Sequence, residues 1–428
     1  MKITGVKKGL KGMMTVPGDK SISHRAVMFG SLAEGTTTIH GFLQSEDCLN
    51  TMRNFKRMGV TFEEKGDTLI VQGVGLNGLK KPSKALDVGN SGTSFRLMTG
   101  ILSGQTFITK LTGDASIQKR PMKRVVEPLK LMGGRFSGVN APLIIFPGKL
   151  KGMTHTMTVP SAQVKSALIL AGLYAKGKTT VVEAAPTRDH TERMLKSFGA
   201  DLAVTLVGKK NKIVLTPGKK LKGQAVEVPG DISSSAFFII AALIVPGSKI
   251  TIKNICINPT RTGILDVLLS MGASITLKNK KTLSGEPVAD LEVKYSELKG
   301  VTIDGDTVVR MIDEVPILSV AAACAKGQTI IKDAEELRVK ESDRIKSTVE
   351  MLNEFGVTVE EKVDGMIITG KPGFAINKKV KINAYFDHRI AMAAAVMGLL
   401  NKKETTISDD SCIATSFPGF LEHLQKIS

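Results

Sequence analysis

Residues 17–35, PGDKSISHRAVMFGSLAEG, gather Lys20, Ser21, Ser23 and Arg25 at the start of an apolar run. The spacing predicts a strand end, a Pro-Gly turn and a helix opened by Lys20 and Ser21, capped by a serine hydroxyl and stopped by Gly35. A helix N-terminus presents N–H groups without intrahelical partners and a partial positive charge. A lysine, an arginine and hydroxyls added there suit capture of an anion, most simply a phosphate or carboxylate. A single such motif is more often a capped surface helix; its recurrence along the chain is what gives it weight.

The pattern recurs from Leu86, Val159, Val228, Met311 and Tyr385: an extended stretch, a polar loop, a nearly all-apolar helix, then a β-branched strand. Glycines at 35, 104, 177, 247 and 327 follow the apolar helices at intervals of about 70–80 residues, with Asn401 near the sixth position. Between them lie amphipathic helices, each followed by a hairpin, near Met58, Met132, Phe198, Met271 and Phe355; a sixth such helix lies at the C-terminus. Polar residues collect where each apolar helix begins: Lys20, Ser21 and Arg25; Asn90, Ser91, Gly92 and Thr93; Ser161 and Gln163; Asp231 and Ser233; Asp313 and Glu314; Asp387, His388 and Arg389. Repeats this long suit two domains of three units, divided near 226–230, rather than a thin solenoid. Units packed in one sense put these helix starts on one face of each domain, and two such faces across a cleft focus positive potential on an anion.

Composition narrows the field. The net charge of +19 over 428 residues points to anionic partners, although many lysines sit in turns beside Gly or Pro. Aromatics are only 4% and Trp is absent, which leaves few stacking platforms for nucleic acid. Four dispersed cysteines lack zinc or disulfide spacing and suit a reducing compartment. The N-terminus lacks a signal-peptide core, and apolar runs such as 236–245 are too short for a bilayer, so a cytoplasmic protein is expected.

Ten motifs in order then carry a resemblance. They are PGDKSISHR at Pro17, GNSGTSFR at Gly89, GDASIQKRPM at Gly113, SAQVKSALILAGL at Ser161, TRDHTERML at Thr187, GDISSSAFF at Gly230, NPTRTG at Asn258, IDEVP at Ile312, LRVKESDRIK at Leu337 and DHRIAMA at Asp387. Over essentially its whole length the chain resembles the bacterial 3-phosphoshikimate 1-carboxyvinyltransferases (5-enolpyruvylshikimate-3-phosphate synthases). The resemblance implies an α/β (α+β) fold of two similar domains, each of three βαβαββ repeats around buried helices. Residues 1–14 and 229–428 would form one domain and 15–228 the other, with the active site in the interdomain cleft. It implies transfer of the enolpyruvyl group of phosphoenolpyruvate to the 5-hydroxyl of 3-phosphoshikimate with release of phosphate, a shikimate-pathway step.

Carried over residue by residue, the resemblance makes Lys20, Asp313 and Glu341 catalytic. Asp313 would accept the 5-hydroxyl proton, and Glu341 and Lys20 would share proton traffic at the methylene carbon. Binding of 3-phosphoshikimate would fall to Lys20, Ser21, Arg25, Ser161, Gln163, Arg188, Asp313 and Lys340. Phosphoenolpyruvate would meet Lys20, Asn90, Gly92, Arg120, Gln163, Arg344 and Arg389. Lys340 and Arg344 are spaced to share one helical face, and His388 reads as a structural hydrogen-bonder. Two positions depart from the family: Ala162 replaces a common second hydroxyl, and Thr415 stands where some members have a lysine. No metal or organic cofactor is expected; the partners are the two small-molecule substrates, with glyphosate as inhibitor, and the protein is expected to be a monomer. Two alternatives stand beside this: the sister enolpyruvyl transferase of UDP-N-acetylglucosamine, which needs a loop cysteine absent from 113–121, and a basic nucleic-acid-binding protein.

Overall fold

The computed structural model describes residues 1–208 and 210–428. It opens with β1 (Lys2–Ile3) and β2 (Lys11–Met14), followed by α1 (Lys20–Leu32), β3 (Glu34–His40), α2 (Glu46–Arg57), β4 (Thr61–Lys65) and β5 (Thr68–Val74). The second repeat is β6 (Leu86–Asp87), α3 (Gly92–Leu102), β7 (Thr109–Thr112), α4 (Ala115–Lys119), α5 (Lys123–Leu131), β8 (Arg135–Phe136) and β9 (Leu143–Phe146). The third is β10 (Thr154–Thr156), α6 (Ala162–Gly172), β11 (Thr179–Val182), α7 (His190–Ser197), β12 (Asp201–Val207) and β13 (Lys210–Thr216). Then come β14 (Ala225–Glu227), α8 (Ile232–Ile244), β15 (Lys249–Cys256), α9 (Gly263–Ser270), β16 (Ser274–Leu283) and β17 (Glu286–Lys294). The fifth repeat has β18 (Thr302–Ile303), α10 (Gly305–Met311), α11 (Val315–Cys324), β19 (Gly327–Ile331), α12 (Arg344–Phe355), β20 (Thr358–Lys362) and β21 (Gly365–Gly370). The last has β22 (Val380–Ile382), α13 (His388–Gly398), β23 (Thr405–Ile407) and α14 (Phe420–Ile427).

Five four-stranded sheets and one three-stranded sheet form among the described residues. The sheets β6-β7-β9-β8, β10-β11-β13-β12 and β18-β19-β21-β20 pair the strand before a buried helix in parallel with the strand after it. The first and fourth repeats exchange that leading strand: β14 lies parallel to β3, and β2 parallel to β15. The leading strand of a repeat is therefore not always the strand that precedes its helix in the chain, as the sequence pattern suggested. A short strand does not encode its partner, since parallel pairing needs only a free edge of the right direction.

The chain divides into two compact units. The N unit is Gly18–Val228 with Leu283–Glu286, and the C unit is Met1–Pro17, Pro229–Thr282 and Pro287–Ser428. Residues 283–286, grouped on sequence grounds with 229–428, cluster with the N unit. There the Ser284 hydroxyl accepts from the Glu227 N–H at 2.8 Å, and Glu286 pairs with buried His190 at 2.7 Å. In each unit the central helices are buried nearly all round. Every residue of α1 from Ile22 to Leu32 and every residue of α8 is buried, because these stretches carry no charged face for water, their one arginine, Arg25, being itself buried. The N-unit core includes an edge-on Phe29–Phe198 pair. In the C unit, Phe237, Phe238, Phe417 and Phe420 pack as one aromatic group. No helix among the described residues is long and apolar enough to cross a membrane.

Candidate active site

In the N unit, the cap of α1 is Asp19 rather than a serine: its Oδ1 accepts the Ile22 N–H at 2.9 Å. A carboxylate one residue before Lys20 outcompetes the hydroxyls, and Ser23 instead accepts the Leu43 N–H at 3.1 Å. The helix ends at Leu32, before the stop expected at Gly35, which lies inside β3 at φ 88°. Lys20 is partly exposed and its ammonium pairs with Asp47 in the first turn of α2. Arg25 is buried. Its Nε donates to Thr191 at 2.7 Å, Nη1 to the Ser21 carbonyl at 2.9 Å and Nη2 to Ser166 at 3.1 Å. Burial pushes its pKa down to about 10 against the opposing pull of Glu192, with Arg188 lowering it further, so it remains cationic at neutral pH.

The loop before α3 supplies a second group. Ser91 caps the helix and Gly92 is its first residue. Arg120 Nη2 donates to Asn90 Oδ1 at 2.6 Å and to Ser116 at 3.3 Å, and Asn90 Nδ2 donates to Asp114 at 2.7 Å. Gln163, on the first turn of α6, accepts from Arg96 and donates to Thr93 at 3.0 Å. A Cβ on Gly92 would sit 3.0 Å from Arg96 Nη1 and 3.1 Å from Arg120 Nη1. The bare glycine thus leaves open the space that two guanidinium groups face. Ser161 caps α6, its hydroxyl accepting the Val164 N–H at 3.4 Å. Behind this face, buried Lys165 pairs with Glu183 at 2.9 Å and Glu192 at 2.7 Å, tying α6 to α7.

In the C unit the centre is Arg344, almost fully buried at the start of α12. Its Nε meets Asp387 at 2.8 Å, Nη1 meets Asp313 at 3.2 Å and Nη2 meets Glu341 at 2.6 Å. Burial works against the charged guanidinium, but Asp387, Glu341 and Asp313 more than offset it, so its pKa is raised. Lys340 Nζ lies 3.7 Å from the same Asp313 oxygen that Arg344 approaches. Lys340 and Arg344 do not share a helical face. Glu335–Val339 is a 3-10 turn ended by Lys340, and α12 begins only at Arg344, capped by Asp343. The acid at 343 is a stronger helix start than a continuation through KESD, so residues 340–344 form a corner and not a helical turn. Beside this cluster Arg389 Nη1 lies 3.9 Å from buried Glu314, which accepts from Ser233; Arg261 reaches Ser233 at 2.8 Å and Asp231 at 3.1 Å.

Residues 5–424 match the sequence model of the family described as EPSP synthase (3-phosphoshikimate 1-carboxyvinyltransferase). The chain belongs to the EPSP synthase family. A 3-phosphoshikimate 1-carboxyvinyltransferase of Brevibacillus brevis is 54% identical over 425 residues, covering 98% of each chain. One from Geotalea daltonii is 52% identical, covering 98% of this chain and 97% of its own. The structure of EPSP synthase from Acinetobacter baumannii superposes with a TM-score of 0.87 at 46% identity, over all of this chain and 98% of that one. The enolpyruvyl transferase NikO from Streptomyces tendae, at 15% identity and a TM-score of 0.79, shares the fold.

Against the residues expected from the EPSP synthase family, the structure brings together Asn90, Gly92, Arg120 and Gln163 in the N unit, and Asp313, Lys340, Glu341 and Arg344 in the C unit. Lys20, Ser21 and Arg25 share the first turns of α1; Arg188 is half-buried just before α7; Arg389 stands at the start of α13. Sequence reasoning missed Arg96, Asp47 and Arg261, and it gave Glu314 and Asp387 no role beyond their places at helix starts. Arg96 carried a signal, lying four residues after Gly92 and so on the same helical face. Asp47 carried none, because its partner Lys20 is on a different helix. His388 is buried at the start of α13, beside Asp387, whose ionised form its charge favours. Thr415 turns its hydroxyl to the Cys412 carbonyl at 2.6 Å, a local turn contact in place of the lysine some members carry. The described residues contain no cluster of three or more His, Cys, Asp or Glu able to hold a metal ion.

Proposed function

We propose that this chain transfers the enolpyruvyl group of phosphoenolpyruvate to the 5-hydroxyl of 3-phosphoshikimate and releases phosphate. The observation that carries the reading is the Asp313 carboxylate held at its Oδ1 by Arg344 and Lys340, with Glu341 on the same guanidinium. The two cations hold the Asp313 carboxylate in place, as a general base for a hydroxyl requires. In the addition step Asp313 takes the proton of the 5-hydroxyl, whose oxygen bonds to C2 of phosphoenolpyruvate. C3 takes a proton from Glu341 or Lys20. In the elimination step the C2–O bond to phosphate breaks, the departing phosphate oxygen takes the proton that Asp313 had removed, and C3 returns a proton to the same group, which restores the double bond.

Both substrates carry a carboxylate and a phosphate, and lysine and arginine side chains supply the opposite charge. Lys20, Ser21, Arg25, Ser161, Gln163, Arg188, Asp313 and Lys340 hold 3-phosphoshikimate. Lys20, Asn90, Gly92, Arg120, Gln163, Arg344 and Arg389 hold phosphoenolpyruvate. Glyphosate competes for the phosphoenolpyruvate part, and unchanged turnover at saturating glyphosate contradicts that assignment. The protein acts as a cytoplasmic monomer, for which a single species of the chain's mass in light scattering is the check. Phosphate release measured with each substrate alone and with both tests the reaction. Release should need both, and Asp313→Ala should lower turnover by about 10²–10⁴-fold. Release with UDP-N-acetylglucosamine in place of 3-phosphoshikimate overturns the substrate assignment.

A further inference from the structure

His24, in the first turns of α1, is fully buried and takes no part in the chemistry above. Its Nδ1 lies 2.8 Å from Thr51 Oγ1 on α2. Thr51 Oγ1 lies 2.6 Å from Ser94 Oγ on α3, and Ser94 Oγ donates to Ser91 Oγ at 2.8 Å. Ser91 is the cap of α3, its hydroxyl also accepting the Ser94 N–H at 3.1 Å. The imidazole therefore starts a relay of three hydroxyls that ends at the N-terminus of the helix carrying Gly92 and Arg96.

Each hydroxyl has a single hydrogen, so the relay can be counted. Ser94 spends its hydrogen on Ser91. The 2.6 Å contact between Thr51 and Ser94 must then use the hydrogen of Thr51, whose only other outlet is a longer 3.3 Å approach to the Asp47 carbonyl and likewise points away from His24. Nothing remains for the 2.8 Å contact to His24 except a hydrogen on Nδ1. The count leaves Nε2 a bare lone pair, and Nε2 has no hydrogen-bond partner among the described residues. A buried acceptor without a partner costs less than a buried N–H without one, so the tautomer suits its surroundings. Burial, with Lys20 and Arg25 nearby and only Asp19 opposing, holds the imidazole neutral.

We propose that His24 is a positioning residue: as the neutral Nδ1–H tautomer it sets the direction of a hydroxyl relay that ends on the cap of α3. It thereby holds the phosphoenolpyruvate end of α3 in place against α1. The inference rests on assigning Asn90 and Gly92 to phosphoenolpyruvate. The test joins a spectrum to kinetics. Long-range proton–nitrogen correlation spectra of the ¹⁵N-histidine-labelled protein should show His24 as the Nδ1–H tautomer, unchanged from about pH 6 to 9. An Nε2–H tautomer or an imidazolium in that range overturns the proposal.

His24→Asn keeps an N–H near the Nδ1 position; His24→Gln moves it toward Nε2. Gln should raise the phosphoenolpyruvate KM by about 3- to 10-fold, the effect of one neutral hydrogen bond, with kcat and the 3-phosphoshikimate KM within about twofold. Asn should stay within about twofold of the unsubstituted protein on all three. Equal effects of the two substitutions overturn the proposal. Ser94→Ala breaks the relay while leaving the imidazole in place, and should raise the same KM over the same range; an unchanged KM is equally fatal. A protein that transfers nothing from phosphoenolpyruvate defeats the functional assignment, while the tautomer is still decided by the spectrum.

Discussion

Replacing Gly92 with alanine separates folding from binding at one atom. Gly92 is the first residue of α3 and lies outside the left-handed region. Alanine there favours the helix by about 0.5–1 kcal/mol, so the melting temperature should hold or rise. The added methyl would stand 3.0 Å from Arg96 Nη1 and 3.1 Å from Arg120 Nη1. Neither arginine is free to swing away, because Arg96 is bonded to Gln163 and Arg120 to Asn90 at 2.6 Å. The ligand must give way, with the loss of at least one charge-assisted hydrogen bond. Such a bond contributes about 1.5–3 kcal/mol, which corresponds to a rise in the phosphoenolpyruvate KM of about 10- to 150-fold. The 3-phosphoshikimate KM should move by no more than about twofold, since Arg96 and Arg120, the groups that the methyl would crowd, are not among its assigned contacts. Steady-state phosphate release with each substrate varied in turn, beside a circular-dichroism melt, reads both halves. A phosphoenolpyruvate KM unchanged in a protein of undiminished melting temperature would refute the placement of that substrate against Gly92.

Two further perturbations test the C unit. Burial pushes the Asp387 carboxyl up, but the Arg344 guanidinium more than offsets it, leaving the folded pKa below the ordinary aspartate value. The stability this pair supplies is therefore present above about pH 4 and is lost as pH falls through the folded pKa. Asp387→Asn keeps a good helix cap for α13 yet breaks the buried pair, and should cost about 3–5 kcal/mol at neutral pH while flattening the acid-side fall. The urea midpoint by circular dichroism, followed across pH, is the check, and parallel pH profiles for the two proteins count against it. Phe386 is 68% exposed at φ 53°, so Phe386→Gly removes backbone strain at little cost in packing. It should raise stability by about 1 kcal/mol in the same assay, and a lowered midpoint contradicts the strain.

The buried helices were legible because an all-apolar run bounded by polar residues has one stable use, the centre of a packed unit. That reading placed α1, α3, α6, α8, α11 and α13, and with them the helix starts that carry Lys20, Gly92, Gln163, Asp313 and Arg389. It failed where geometry depends on a partner far along the chain. Nothing near Lys20 announces Asp47 on α2, and nothing in β2 says that its neighbour will be β15. It also failed at corners: the interval from Lys340 to Arg344 matches a helix turn in number, but Asp343 restarts the helix between them. The two cations still converge on Asp313, so the expected cluster arose by a different backbone route.

The exchanged strands set a timetable for synthesis. Residues up to 228 contain nearly the whole N unit, which can assemble as soon as β14 leaves the ribosome. β1 and β2, which emerge before the N unit, cannot assemble then. β2 waits for β15, and β1 waits for β23 near residue 405. At about 5–20 residues per second, some 400 residues of synthesis hold β1 unpaired for roughly 20–80 s. During that interval a folded N unit trails an open leading segment, and the last sheet of the C unit closes only after β1 is brought to β23.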